Sequence, residues 1–339
     1  MSYPRRTLQR KSSAPWDRLR PVKLDPLESV GFVSKGDSSL LNVKIQESYY
    51  HKITARYMQF CAQHSKNLND AFASLSIDEP NTIASDKTGY ILRPPPQLGG
   101  SSRPITPAYS AKGLSASKYA ATTAQQPLVA DPAEELTLIL TALRKLREGI
   151  LATSGSVHSP VFSQRVHVFN IRLAILALHP ESYHASLRYL LTGLQRRDHP
   201  LPRTEYCEML SYLILDTALR LQDLNEAYRI RARARTVLSF SDRNVDLILK
   251  AVATDNWPLF WKIRSRVDGY LRAIMHWKLP AMRRSVLKAI GKSYLKCDVD
   301  WIRQNTTGTE MSWEELAQKE DIGWLREGNT VVIRKPKLR

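Results

Sequence analysis

The sequence predicts a mainly α-helical protein, a helical-repeat α-solenoid followed by a C-terminal winged helix, behind an N-terminal region without a globular pattern. Three observations carry that prediction. From Asp131 to about residue 296, apolar residues recur every three or four positions in segments joined by short links, the period of amphipathic helices. Nothing before residue 297 shows the period of two that marks a strand. The last forty or so residues then read as two short helices and a hairpin. At 339 residues and 43% hydrophobic, the chain is long enough to bury a core without staples.

Residues 1–45 form a basic arm that mixes Arg, Pro, Ser and Gly without periodicity, and it is expected to be disordered. Over 46–76, Tyr49, Tyr50, Ile53, Tyr57, Phe60, Cys61, His64, Leu68, Phe72 and Leu75 mark one face of an amphipathic helix. A lone amphipathic helix is not stable in water, so this one either docks on the chain's own globular part or hooks another subunit. Residues 77–127, around Pro94-Pro95-Pro96, Gly99-Gly100, Pro104 and Pro107, read as a disordered linker.

The helical array spans 128–280. It opens with Asp131 as N-cap, Pro132 in the first turn, and Glu134 and Glu135 facing the helix dipole. Further helical segments are predicted near 160–178, 181–195, 203–221, 223–237, 243–254, 258–277 and 281–296. Links this short make antiparallel neighbours. Residues 281–339 form the winged helix, with 281–296 as its first helix and Val299 to Ile302 opening the second. Ser312 and Glu315 stand in capping-box spacing at the third, and Trp324-Leu325 faces Val331-Val332-Ile333 across Gly328.

Fifty Lys+Arg against 32 Asp+Glu give a formal charge of +18, so an acidic partner is expected, RNA or an acidic protein. Cys61, Cys207 and Cys297 are too dispersed for a disulfide framework or a zinc knuckle. No apolar run reaches the roughly 18–20 residues of a membrane span, and residues 1–30 lack a secretory h-region. Arg5, Arg6, Arg10, Lys11, Arg18 and Arg20 resemble a transit peptide in composition, but Pro4, Pro15 and Pro21 interrupt its helix. Nucleus or cytoplasm is the expected location, without membrane contact.

Catalytic signals are weak. The eight histidines form no H-E-x-x-H, and Gly291-Lys292-Ser293 mimics a P-loop end inside a helical pattern, where no backbone amides are free for phosphate. Neither metal nor cofactor is expected, nor enzymatic activity. More informative is a basic stripe, Arg284, Lys288, Lys292 and Lys296, recurring every four residues opposite the apolar positions Val286, Ile290 and Tyr294. Arg334, Lys335, Lys337 and Arg339 trail from the wing and extend it. A merely solvated basic face is the alternative. The third helix, carrying Glu314, Glu315, Glu320 and Asp321 against Lys319, would be repelled by a duplex groove. Arg229, Arg231, Arg233 and Arg235 read as a mixed set of intramolecular and solvent-facing cations.

Ala251 to Trp261 (A-V-A-T-D-N-W-P-L-F-W), Met282-Arg283-Arg284 with Leu287, Ile290 and Tyr294, and Trp324 to Pro336 together resemble the PCI-domain family. Members of that family are subunits of the proteasome lid, the signalosome and translation initiation factor three, with GANP-type mRNA-export proteins as relatives. The likeness runs over residues 131–339 and is greatest to the small branch that groups a signalosome subunit, a lid subunit and the k subunit of the initiation factor. It implies a non-catalytic scaffold whose partners are other PCI-type subunits. Because winged helices of that family meet edge to edge, Trp324, Val331, Val332 and Ile333 are the expected partner interface. The alternative it implies is a nucleic-acid-binding adaptor of the mRNA-export type, with the stripe on RNA.

Overall fold

In the computed structural model, residues 25–73, 131–153, 160–194, 201–308 and 310–334 are described. The 77–127 linker and residues 1–24 of the basic arm lie outside them. The protein is mainly helical.

Residues 25–42 correct the expectation of a disordered arm up to 45. They form a strap of two short 3-10 turns, Val33–Lys35 and Ser39–Leu41, laid on the helical core. Leu27 is buried, and its carbonyl accepts from Tyr49 Oη at 2.7 Å and from Lys145 Nζ at 3.3 Å. Leu40 is fully buried against Gly149, where a Cβ would lie 2.8 Å from both the Leu40 carbonyl oxygen and its Cβ. The composition of the strap hides this order, because so few apolar side chains anchor it.

Helix α1 (Val43–Gln63) is capped by Asn42, whose side chain accepts from Lys44 N–H at 2.9 Å. It docks on α3 (Pro132–Thr153) of the same chain, burying Tyr49, Ile53 and Phe60. Gln46 donates to the Leu40 carbonyl at 2.6 Å and to Thr153 Oγ1 at 3.2 Å, tying helix, strap and α3 together. Over its described residues, 46–73, this segment is therefore part of the core, broken after Gln63 and resumed as α2 (Leu68–Ala73). Arg56 meets Glu135 at 2.8 Å across the α1 and α3 contact.

The array continues through α4 (Pro160–Leu176), α5 (Pro180–Arg188), a π-helical turn at Tyr189–Leu194, α6 (Arg203–Leu219), α7 (Leu224–Leu238) and α8 (Arg243–Ala253). Predicted segment 258–277 proves to be two helices, α9 (Trp257–Arg264) and α10 (Gly269–His276). Asp268 breaks it by adopting extended backbone and accepting from Leu271 N–H at 2.8 Å as a new N-cap. Helices α4 and α5, α6 and α7, and α8 and α9 pack pairwise, yet α10 also returns to touch α4 and α6. In a strict solenoid each repeat touches only its neighbours. The consequence is one continuous apolar core from Leu27 to Met282.

The C-terminal unit has its own smaller core of Val286, Leu287, Ile290, Val299, Ile302, Trp313, Leu316 and Val331. Its elements are α11 (Leu279–Ser293), β1 (Lys296–Asp298), α12 (Val299–Thr307), α13 (Trp313–Lys319), β2 (Leu325–Glu327) and β3 (Thr330–Val332). The three strands form an antiparallel sheet in the order β1-β3-β2. Both bonds of the predicted Ser312 and Glu315 capping box are present. Sequence periodicity missed β1, which is only three residues long. Trp257 packs against both cores, and Trp261 Nε1 donates to the Asn305 carbonyl at 2.7 Å, so α9 and α12 join the two units.

Candidate functional site

Helix α11 puts Met282, Val286 and Ile290 into the core and leaves Arg284, Lys288 and Lys292 exposed. The three cations share one face at four-residue spacing, about 6 Å per step along the axis. None is paired with a carboxylate among the described residues. The neighbouring Arg283 is buried and meets Glu320 at 3.2 Å, so it ties α11 to the end of α13.

Lys296 is a correction. The helix ends at Ser293 because Tyr294 adopts extended backbone (φ −120, ψ 150), and Lys296 lies in β1 with its ammonium 3.6 Å from Glu327. The helical stripe therefore holds three cations. Arg334 joins them differently: its guanidinium donates to the carbonyls of Gly291 and Lys292, the latter at 2.7 Å, and so caps the C-terminus of α11. Lys335, Lys337 and Arg339 lie outside the described residues.

The expected partner residues Trp324, Val331, Val332 and Ile333 are each at least half-buried within the chain. Val331 and Val332 are buried, while Trp324 and Ile333 are half-buried on the small core. Trp324 closes on α11 at Gly291, where a Cβ would lie 3.3 Å from its ring. That approach explains the glycine of the P-loop-like tripeptide, which sits inside α11. Alternation does turn Val332 to the outer sheet face, but its cross-strand neighbours Lys296 and Leu325 flank it on both sides. The apolar surface that reaches solvent is elsewhere: Tyr294 (45% exposed), Leu295 (52%), Trp301 (39%) and Leu325 (56%). Sequence reading placed Tyr294 on the core face because it extended the helix one turn too far.

The acids of α13 are largely engaged inside the unit. Glu314 pairs with Arg326, Glu315 accepts from Ser312 N–H at 2.8 Å, and Glu320 holds Arg283. On α7, Arg229 pairs with Glu226 at 2.5 Å and Arg231 with Asp246, while Arg233 and Arg235 are exposed, the expected mixed set.

A buried polar cluster lies between α3, α4 and α5. Ser186 Oγ accepts from Arg147 Nη1 at 2.8 Å and Asn170 Nδ2 at 2.9 Å, and lies 3.2 Å from His167 Nδ1. The His167 ring stacks on Tyr189, the first residue of the π-helical turn. Burial, helped by the Arg147 charge, pushes the His167 imidazole down to about 3. A Ser–His contact resembles half of a nucleophilic triad, but Ser186 is fully buried and no carboxylate orients the ring among the described residues. The cluster locks three helices together. No group of His, Cys, Asp and Glu that could hold a metal occurs among the described residues, and no described helix is long and apolar enough to cross a membrane. Neither a protein-family model nor a curated protein matches the chain.

Proposed function

We propose that the chain is a non-catalytic scaffold subunit of the PCI type, in which the helical array and a C-terminal winged helix pack against other subunits of a larger assembly. One observation carries the reading. The C-terminal unit runs helix, strand, helix, helix, strand, strand with sheet order β1-β3-β2, the order of a winged helix, and follows directly on the helical array. The indoles of Trp257 and Trp261 both donate to Asn305 and tie the C-terminal unit to the helical array. An assembly scaffold needs such a joint. The test is the size of the native complex and its composition by affinity purification with mass spectrometry. A stable set of co-purifying subunits supports the reading, and elution of the endogenous protein wholly as a free monomer overturns it.

A second reading, a nucleic-acid-binding adaptor of the mRNA-export type, is favoured by the three cations of α11 that no described carboxylate neutralises. Both readings place the protein in the nucleus or cytoplasm.

A further inference from the structure

We infer that Tyr294, Trp301 and the cationic face of α11 form one platform for single-stranded nucleic acid, with the rings covering bases and the cations neutralising phosphates. The inference rests on the second reading and adds to it a stacking site. The two rings meet edge to face at 5.5 Å, and both remain well exposed. Neighbouring Leu295 is exposed too, so this end of α11 presents apolar surface at a junction of three elements.

The charge around the rings is arranged for an anion. Lys292 stands two residues before Tyr294, with Lys288 and Arg284 one and two steps back along the same face. A helix C-terminus ordinarily repels phosphate because its last carbonyls carry partial negative charge. Here Arg334 caps those carbonyls with a guanidinium and removes that obstacle. Three acids of this end of the unit are engaged: Asp300 with Arg303 at 3.0 Å, Glu327 with Lys296, and Asp298 with Trp301 N–H and Asn329.

Exposed rings combined with cations that no described carboxylate neutralises discriminate between polyanions. A duplex keeps its base faces stacked on one another, and an acidic peptide offers carboxylates without π-faces. A single strand offers both bases and phosphates.

The test uses the full chain, a labelled single-stranded oligouridylate read by fluorescence anisotropy, and inorganic polyphosphate as a base-free polyanion. Changing Tyr294→Ala or Trp301→Ala is expected to weaken oligouridylate binding roughly tenfold and to leave polyphosphate binding unchanged, since stacking acts on bases alone. Tyr294→Phe keeps the ring and should bind as wild type. The triple change Arg284→Glu, Lys288→Glu and Lys292→Glu should weaken both ligands, with the logarithmic salt slope falling by about 0.7 for each phosphate that is no longer neutralised. Circular dichroism checks the fold, and if Trp301→Ala loses helix, Tyr294→Ala against Tyr294→Phe carries the comparison. Absence of oligouridylate binding at low salt, ring variants that bind as wild type, or equal weakening of both ligands by the ring variants would overturn the inference. So would a native acidic protein partner that is released on changing the rings while oligouridylate is retained. In each case the scaffold reading stands or falls separately, on the native complex.

Discussion

The indole of Trp257 donates its Nε1 hydrogen to Oδ1 of Asn305 at 3.2 Å, across the boundary between the large helical core and the small C-terminal one. The Asn305 main-chain carbonyl accepts from Trp261 in the same place, and Gly308, in left-handed backbone at φ 63, passes close to the Trp261 ring. Changing Asn305→Ala removes the first bond and leaves the second. A half-buried indole N–H without its acceptor costs about 1–2 kcal/mol. The expected outcome is a C-terminal unit that opens before the rest, seen as faster hydrogen exchange in α12 than in α3.

Gly149 predicts a stability change whose sign two effects contest. Replacing an interior helical glycine by alanine gains up to about 1 kcal/mol of helix propensity. The new Cβ would, however, sit 2.8 Å from the backbone oxygen of Leu40, which the strap cannot move without unseating Leu40. Overpacking of this kind costs about 1–3 kcal/mol. Gly149→Ala should therefore lower the urea midpoint and expose the strap at residues 25–42 to protease. A higher midpoint would show that the strap yields freely.

Arg283 and Glu320 form an ion pair whose side chains are only 7% and 10% exposed. Glu320→Ala removes the carboxylate that this buried guanidinium, which also donates to Met311 Sδ, meets at 3.2 Å, and breaking a buried pair costs about 3–5 kcal/mol. Removing both charges, as Arg283→Met with Glu320→Leu, should recover most of that loss. Denaturant unfolding of the single and double variants gives the comparison.

His167 sets a pH dependence. Its folded imidazole titrates near 3, far below the ordinary 6.5, because burial disfavours the cation. Between those values the unfolded chain binds a proton that the folded chain does not, so stability attributable to this group is full above 6.5 and falls as the solution is acidified. The slope approaches about 1.4 kcal/mol per pH unit well below the unfolded value. His167→Gln should flatten the stability profile between pH 6 and pH 4 by that amount. An unchanged slope would mean that the ring charges in place.

The helices were legible wherever a cap and an apolar period coincided, as at Asp131 of α3 and Ser312 of α13. What escaped reading had little local signal. The strap at 25–42 is ordered by tertiary contacts of Leu27 and Leu40 and by the local bonds that Asp37 accepts from Gly31 and Ser39 within it. Its sequence shows no period. Strand β1 is too short to alternate detectably, and missing it carried Lys296 and Tyr294 onto a helix that ends at Ser293. The cations Arg284, Lys288 and Lys292 were readable because α11 keeps its period to that point. The exposed rings were not, because Tyr294 and Trp301 meet only once β1 has turned the chain back. Arg334 gave no hint of its capping role, which needs the sheet to bring it over Gly291.

The scaffold reading makes its sharpest prediction at Leu325. Val332 is a poor probe of partner contact, because it is buried and a lysine there would disrupt the sheet before it disturbed a neighbour. Leu325 stands beside it on the outer face, 56% exposed, on the edge strand β2. An edge strand that carries an exposed leucine has unpaired backbone groups and an apolar side chain to offer a partner. Leu325→Glu keeps the strand and replaces that apolar surface with charge. Stability should change by no more than about 0.5 kcal/mol, as for other surface positions. Recovery of co-purifying subunits should fall at unchanged circular dichroism. Equal recovery by variant and wild type would place the subunit contact away from the sheet edge.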